Sequence, residues 1–234
     1  MSFDLKPYLE TRRALVDAAL DRTLPTEDTP PTNLHRAMRY SVLAPGKRLR
    51  PILVIAGAEA VGGAAPAVMD AACALELIHA YSLIHDDLPA MDDDDYRRGR
   101  LTNHKVFGDA IAILAGDALL TLAFQLVAGN AARMSDPRLI AQVISDVADA
   151  AGTNGMVGGQ VVDIESEGKA VSAETLDYIH THKTAALIRA SLCAGALLAR
   201  AEPPQLAAMH ACGEALGLAF QIVDDILDVE GSSE

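Results

Sequence analysis

The sequence predicts an all-α fold in a single domain, residues 1–234, and three observations carry that expectation. Half of the residues are hydrophobic but only 4% are aromatic, with no Trp. An apolar set dominated by Ala and Leu favours helices packed closely through small residues. Apolar residues recur at helical spacing along most of the chain, and strand-period alternation appears nowhere with conviction. Neither a linker long enough to divide the chain nor a repeat of fixed period is present.

The helices follow in order. Asp4 to Asp21 has apolar residues at helical spacing (Leu5, Leu9, Val16, Leu20), with Pro7 in the permitted first turn. The proline-rich stretch from Thr23 to Thr32 reads as a loop, and Asn33 as the cap of a helix reaching about Leu43. Pro45-Gly46 ends that helix, and Lys47-Arg48-Leu49-Arg50-Pro51 opens an apolar one to Val61. A strong helix is expected from Ala67 to about Asp87, and the next from about Phe107 to Ala128. Arg138 to Ala151 is helical again. The glycine-rich stretch Gly152 to Lys169 also reads as helical, its missing side chains allowing close approach to the backbone. Ser172 caps a helix to about Arg200, and after Pro203-Pro204 a last one runs to about Val229. That makes nine or ten helices.

Charge and cysteine content narrow the function classes. A net charge of −13 argues against nucleic-acid binding, which needs a basic face. Cys73, Cys193 and Cys212 lie in apolar helical stretches without metal-type spacing, as buried thiols in a reducing compartment would. The first twenty residues carry Asp4, Glu10 and Asp17 and lack the apolar run of a signal peptide. Asp117 and Arg189 interrupt the most apolar stretches, so no membrane span is expected. A cytoplasmic protein is the expectation.

The densest chemical signal lies between Ile84 and Arg100. Six aspartates (Asp86, Asp87, Asp92, Asp93, Asp94, Asp95) fall within ten residues, followed by Arg97, Arg98 and Arg100. Two carboxylates about 4 Å apart repel by roughly 4 kcal/mol at an effective dielectric near 20, so a fold gathering several expects a cation. A hard divalent ion such as Mg²⁺ suits oxygen ligands and leaves positions for water and phosphate. Arginine suits bidentate grip on phosphate. An EF-hand fails on spacing: counted from Asp92, Arg97 stands where Gly is required and Asn103 where Glu is required. A solvated charge run is the plain alternative. A second acid cluster weighs against it, because Gln221, Asp224 and Asp228 share one face of the last helix. Two helix-borne acid clusters facing each other across a bundle would hold metal ions between them.

These residues carry a family resemblance. Asp86-Asp87-(four residues)-Asp92 resembles the first aspartate-rich motif of the trans-isoprenyl diphosphate synthases, and Asp224-Asp225-Ile226-Leu227-Asp228 resembles their second, DDxxD. Gly46-Lys47-Arg48-Leu49-Arg50-Pro51, the helix segment holding His79, Gly159-Gln160-(two residues)-Asp163 and His182-Lys183-Thr184 are similar to four further family blocks, in the expected order. Within the family the likeness is nearest to the bacterial synthases of farnesyl diphosphate. The resemblance implies an isoprenoid-synthase helical bundle with its active site in a central cavity.

It also implies a reaction, in which an allylic diphosphate ionises and isopentenyl diphosphate attacks the cation head-to-tail. By resemblance Asp86, Asp92, Asp224 and Asp228 ligate Mg²⁺ bridging to the allylic diphosphate, while Asp87 and Asp225 ligate or support that shell. Arg97 and Lys183 would contact the same diphosphate, and Thr184 and Gln221 would turn oxygen dipoles toward the cation. Gly46, Lys47, Arg50, His79 and Arg98 would hold isopentenyl diphosphate without metal.

Product length would follow from depth. Tyr81 and Ser82 lie five and four residues before Asp86, about 6–8 Å down the helix axis. A tyrosine floor there, with two extra residues inside the first motif, resembles the C15 producers; C20 and C10 remain alternatives. A silent partner subunit is a rival, as is a class I terpene cyclase, which would lack the basic site and carry a different second metal motif. By resemblance, family members continue past the second motif through a basic loop and further helices, and the sequence as given, to Glu234, has no counterpart of that loop's lysine or of those helices. A homodimer is expected from the likeness alone.

Overall fold

A computed structural model describes residues 4–130 and 136–231, except for the side chains of residues 224, 225 and 228–231. Eleven α-helices are present among the described residues: α1 Leu5–Thr23, α2 Thr32–Val42, α3 Leu49–Ala60, α4 Ala65–Asp86, α5 Asn103–Phe107, α6 Asp109–Gly129, α7 Pro137–Ala151, α8 Met156–Ser166, α9 Ala173–Ile179, α10 Ala186–Leu198 and α11 Pro203–Gly231. The all-α expectation holds. Contacts group the chain into two compact units, Met1–Ile52 with Met69–Ser135 and Leu53–Val68 with Asp136–Glu234. The divisions at 52/53 and 68/69 fall inside α3 and α4, where no linker composition could announce them.

In the first unit, α1 starts at Asp4, whose carboxylate accepts from the Lys6 N–H, and buries Val16, Ala19 and Leu20. Helix α2 differs from expectation at its start. Its N-cap is Pro31 and no side chain caps it; the Pro31 carbonyl accepts from the Leu34 and His35 amides instead, which leaves Asn33 inside the first turn. Arg39 of α2 reaches back to the end of α1, pairing with Asp21 and donating to its carbonyl. Helix α2 packs on α5 and α6, tied by Asn103 donating to the Ala37 carbonyl at 2.8 Å. The helix expected from Phe107 is two, because Gly108, at φ +82°, turns the chain between α5 and α6.

A short antiparallel ladder, unforeseen in the sequence, pairs β1 (Tyr96–Arg97) with β2 (Arg100–Leu101). Its two-residue turn, Arg98-Gly99, has positive φ at both positions (53° and 75°), the twist that tight hairpins favour. A two-residue strand is too short to show alternation.

In the second unit, α7 is capped by Asp136 and buries Ile140, Val143, Val147, Ala150 and Ala151, a stripe at helical spacing. It packs on α10, which in turn packs on α11. Ala150, Ala186 and Ala190 form one small-residue contact. Helix α10 is almost wholly buried and approaches α3 at backbone level. A Cβ on Gly195 would lie 1.8 Å from the Val54 carbonyl oxygen, and one on Gly57 2.2 Å from that of Leu192. The single helix expected from Ser172 to Arg200 is instead α9, a π-helical turn over His180–Ala185, and α10. Ser172 caps α9 as expected, accepting from the Thr175 amide.

Cys73 and Cys193 are buried, but Cys212 is exposed on α11, contrary to the expectation of three buried thiols. The membrane expectation also needs correction: Ala65–Asp86, Asp109–Gly129 and Pro203–Val223 are each long and apolar enough, by length and composition, to cross a membrane. In α4 that apolarity serves packing, since 67% of its most apolar stretch is buried.

Candidate active site

Helix α4 carries Glu76, His79, Tyr81, Ser82 and Asp86, and its end is folded back tightly. The Asp92 amide donates to the Asp86 carbonyl at 2.8 Å, and the Met91 and Asp93 amides donate to Leu88. The loop thereby returns the Asp92 backbone to that of Asp86, six positions earlier. Asp86 is half-buried and Asp92 exposed, whereas Asp87 is buried and accepts from Arg97 Nε at 2.6 Å. Burial pushes the Asp87 carboxyl up, and Arg97 opposes that. Arg97 also lies 3.7 Å from Asp94, so the arginine expected on the allylic diphosphate is here held by two carboxylates.

The basic residues converge in the same unit. A cavity of about 50 Å³ is lined by residues including Arg48, Glu76, His79, Asp87, Arg97 and Arg98. His79 is held well below its ordinary range by burial, then by Arg50, Arg98, Arg97 and Arg48. Burial lowers Arg50, with Glu76 opposing and Arg98 adding to the effect, and the Arg50 Nε is buried with no hydrogen-bond partner. Arg98 donates to the Pro45 carbonyl at 3.0 Å. Gly46 packs beside the same side chain: a Cβ there would sit 2.5 Å from the Arg98 guanidinium. Lys47, from the same segment, is exposed. A group of cations this close stores repulsion that an anion would relieve.

Arg48 was not singled out in the sequence. It is buried and pairs with Glu76 at 2.8 Å, both side chains 4% exposed, and with Asp17 at 2.7 Å. Removing one partner of such a pair costs about 3–5 kcal/mol. Its signal in the sequence, one basic residue among several, could not separate it from Lys47 or Arg50.

Tyr81 is 7% exposed, and burial raises its hydroxyl to about 12. Its ring meets His85 edge-on at 5.7 Å. His85 Nε2 donates to the Ile113 carbonyl of α6 at 3.1 Å, packed over Gly116, where a Cβ would lie 2.1 Å from the ring. Ser82 donates to the His79 carbonyl at 3.0 Å.

In the second unit, α8 presents Gly159 and Asp163 to the π-helical turn, and Gln160 is half-buried. The expected close approach at the glycines is to the protein's own backbone: a Cβ on Gly159 would lie 2.3 Å from the Lys183 amide nitrogen. Lys183 Nζ reaches Asp163 at 2.5 Å. His182 stacks on Tyr178, ring centroids 3.8 Å apart, and donates from Nδ1 to the Tyr178 carbonyl. The π turn adds a residue to the helical repeat and so re-aims Lys183 and the half-buried Thr184; such insertions frequently mark functional sites. Gln221 is half-buried on α11. The expected metal ligands Asp224, Asp225 and Asp228 fall outside the residues whose side chains are described.

Among the described residues no group of three or more His, Cys, Asp or Glu side chains is placed to hold a metal. Asp86 and Asp92, whose backbones the loop joins, carry oxygen donors of the kind Mg²⁺ takes one or two at a time. The donor chemistry fits.

Residues 31–234 match the family model described as polyprenyl synthetase. The chain belongs to the polyprenyl synthetase family. Among similar polyprenyl synthetases, the large subunit 1 of a chloroplastic heterodimeric geranylgeranyl pyrophosphate synthase from Arabidopsis thaliana is 49% identical over 237 residues. That match covers 100% of this chain and 63% of the relative, so the chain spans less than two thirds of that protein's length. A farnesyl diphosphate synthase from Geobacillus stearothermophilus is 47% identical, over 98% of this chain and 77% of the relative. In structure, the chain is similar to an FPP/GFPP synthase from Zymomonas mobilis, with a TM-score of 0.90, 40% identity, and coverage of 96% of this chain and 81% of that one. These names span several product lengths.

Proposed function

We propose that this polypeptide carries head-to-tail prenyl transfer, condensing isopentenyl diphosphate with an allylic diphosphate and releasing diphosphate. The observation that carries the reading is the cavity lined by Arg48, His79, Arg97 and Arg98, with His79 on the helix that bears Asp86. A cationic, partly buried cradle beside an acid pair separates two tasks. Basic side chains hold the diphosphate that stays, and the acid side holds the one that leaves. Mg²⁺ would supply neutralisation of the departing charge when bound.

In this reading Arg50, His79, Arg98 and Lys47 bind and orient isopentenyl diphosphate. Asp86 and Asp92, with Asp224, Asp225 and Asp228, hold the metal side, and Asp87 fixes Arg97. Lys183, set by Asp163, and Thr184 and Gln221 face the allylic group. The allylic C–O bond breaks and its electron pair leaves with diphosphate. The double bond of isopentenyl diphosphate forms the new C–C bond, and diphosphate takes the proton lost. Buried Tyr81 as pocket floor favours a C15 product, farnesyl diphosphate, made by a homodimer.

Product analysis tests this. The chain is incubated with labelled isopentenyl diphosphate, Mg²⁺ and C5, C10 or C15 primers, with an EDTA control. Mg²⁺-dependent C15 product with little extension of the C15 primer is expected. A C20 product would keep the reaction and refute the role of Tyr81. No product under any of these conditions would leave the silent partner subunit as the better reading.

A further inference from the structure

We infer that Arg48 and Glu76 are positioning residues of the isopentenyl diphosphate site, setting the loop from which Lys47 and Arg50 project. The inference rests on the prenyl-transfer reading above and adds to it two residues that would not touch substrate. Arg48 uses every edge of its guanidinium inside the protein. Nε donates to Asp17 at 2.7 Å, Nη1 to Glu76 at 2.8 Å and Nη2 to the Ala44 carbonyl at 2.8 Å. The last bond closes the 44–48 loop on itself. The Arg48 carbonyl accepts from Ile52 at 3.1 Å, so the same residue begins α3 and sets the direction in which Arg50 leaves. Arg48 is held at φ +52°, a backbone state a non-glycine residue keeps only when its surroundings over-determine it. Glu76 supplies that determination from the rigid middle of α4, and it is the carboxylate felt by Arg50 and Arg98 as well. One buried acid therefore holds Arg48 directly against the helix that bears His79.

A lysine could not make this three-way contact, because it lacks the planar fork. Arg48→Lys keeps the charge and loses the geometry, which separates positioning from electrostatics. Glu76→Gln separates them by sign. Removing a negative charge beside Arg50 and Arg98 should tighten anion binding if charge alone matters, and weaken it if the loop loses its register.

The experiment is calorimetric binding of isopentenyl diphosphate in EDTA, with geranyl diphosphate plus Mg²⁺ as reference and a thermal melt of each variant. Arg48→Lys and Glu76→Gln are expected to weaken isopentenyl diphosphate by about tenfold, the scale of one misaligned charge-assisted hydrogen bond. The reference ligand should move less than about twofold, and Glu76→Asp should recover part of the loss. Asp17→Asn, which loosens only the exposed anchor, should give a smaller loss in the same direction. Variants that melt lower yet bind isopentenyl diphosphate as tightly as wild type would overturn the inference and leave the pair structural. Tighter binding by Glu76→Gln would overturn it in favour of charge alone. A wild-type chain that does not bind isopentenyl diphosphate in EDTA would refute the prenyl-transfer reading itself, and the inference with it.

Discussion

Replacing Gly159 with alanine places a methyl group where the π-helical turn runs. The new Cβ would lie 2.3 Å from the Lys183 nitrogen and 2.7 Å from its Cα, against an ordinary contact of 3.4 Å or more. Both obstacles are backbone, so no side chain can swing away. Helix α8 and the turn must part by roughly 1 Å, an overpacking that costs about 1–3 kcal/mol. The gain in helix propensity offsets about 0.5–1 kcal/mol of that. With about 0.5–2 kcal/mol left, and about 2–4 °C per kcal/mol for a chain of this size, Tm should fall by about 1–8 °C. The same displacement moves Lys183 and Thr184, and misplacement of about 1 Å can cost up to about 100-fold in turnover. Circular dichroism melts and prenyl-transfer rates measure the two effects. Gly129→Ala, where a Cβ meets nothing within 4 Å, is the control and should melt at or above wild type. A Gly159→Ala protein with wild-type Tm and rate would refute the backbone contact and the role assigned to the turn.

Tyr81→Ala opens the floor beside His85 and should lengthen the product, read by chromatography of the dephosphorylated alcohols; an unchanged length removes Tyr81 as the floor. Asp224→Ala should abolish turnover with helical content intact, and loss of helicity instead would make the second cluster structural. Of the three thiols only Cys212, the exposed one, should react promptly with a thiol reagent. Burial raises Cys73 to about 12 and Cys193 to about 11, so rapid labelling of either would contradict the packing. His79 is kept neutral below its ordinary value near 6.5, so between its lowered folded pKa and about 6.5 the unfolded chain binds more protons. Stability is therefore full above about pH 6.5 and declines as pH falls below it, and His79→Gln should remove part of that decline in urea midpoints; identical slopes for both proteins would refute it.

The sequence by itself determined the helical class and the family, and it named the candidate site residues. Periodicity and residue type are local properties, and Asp86-Asp87, Lys47, Arg50, His79 and Lys183 all stand in short motifs. Helix interiors were legible for the same reason. The tertiary structure decided what depends on contacts distant in sequence. It placed the Asp92 amide on the Asp86 carbonyl, turned Asp87 inward to Arg97, and set Arg98 against Gly46 across 52 positions. It also revealed the π turn, which propensity does not signal and which packs closely on Gly159. Arg48 shows the distinction most sharply: beside Lys47 and Arg50 it is one more positive charge, and only burial against Glu76 makes it the residue that holds the others in place.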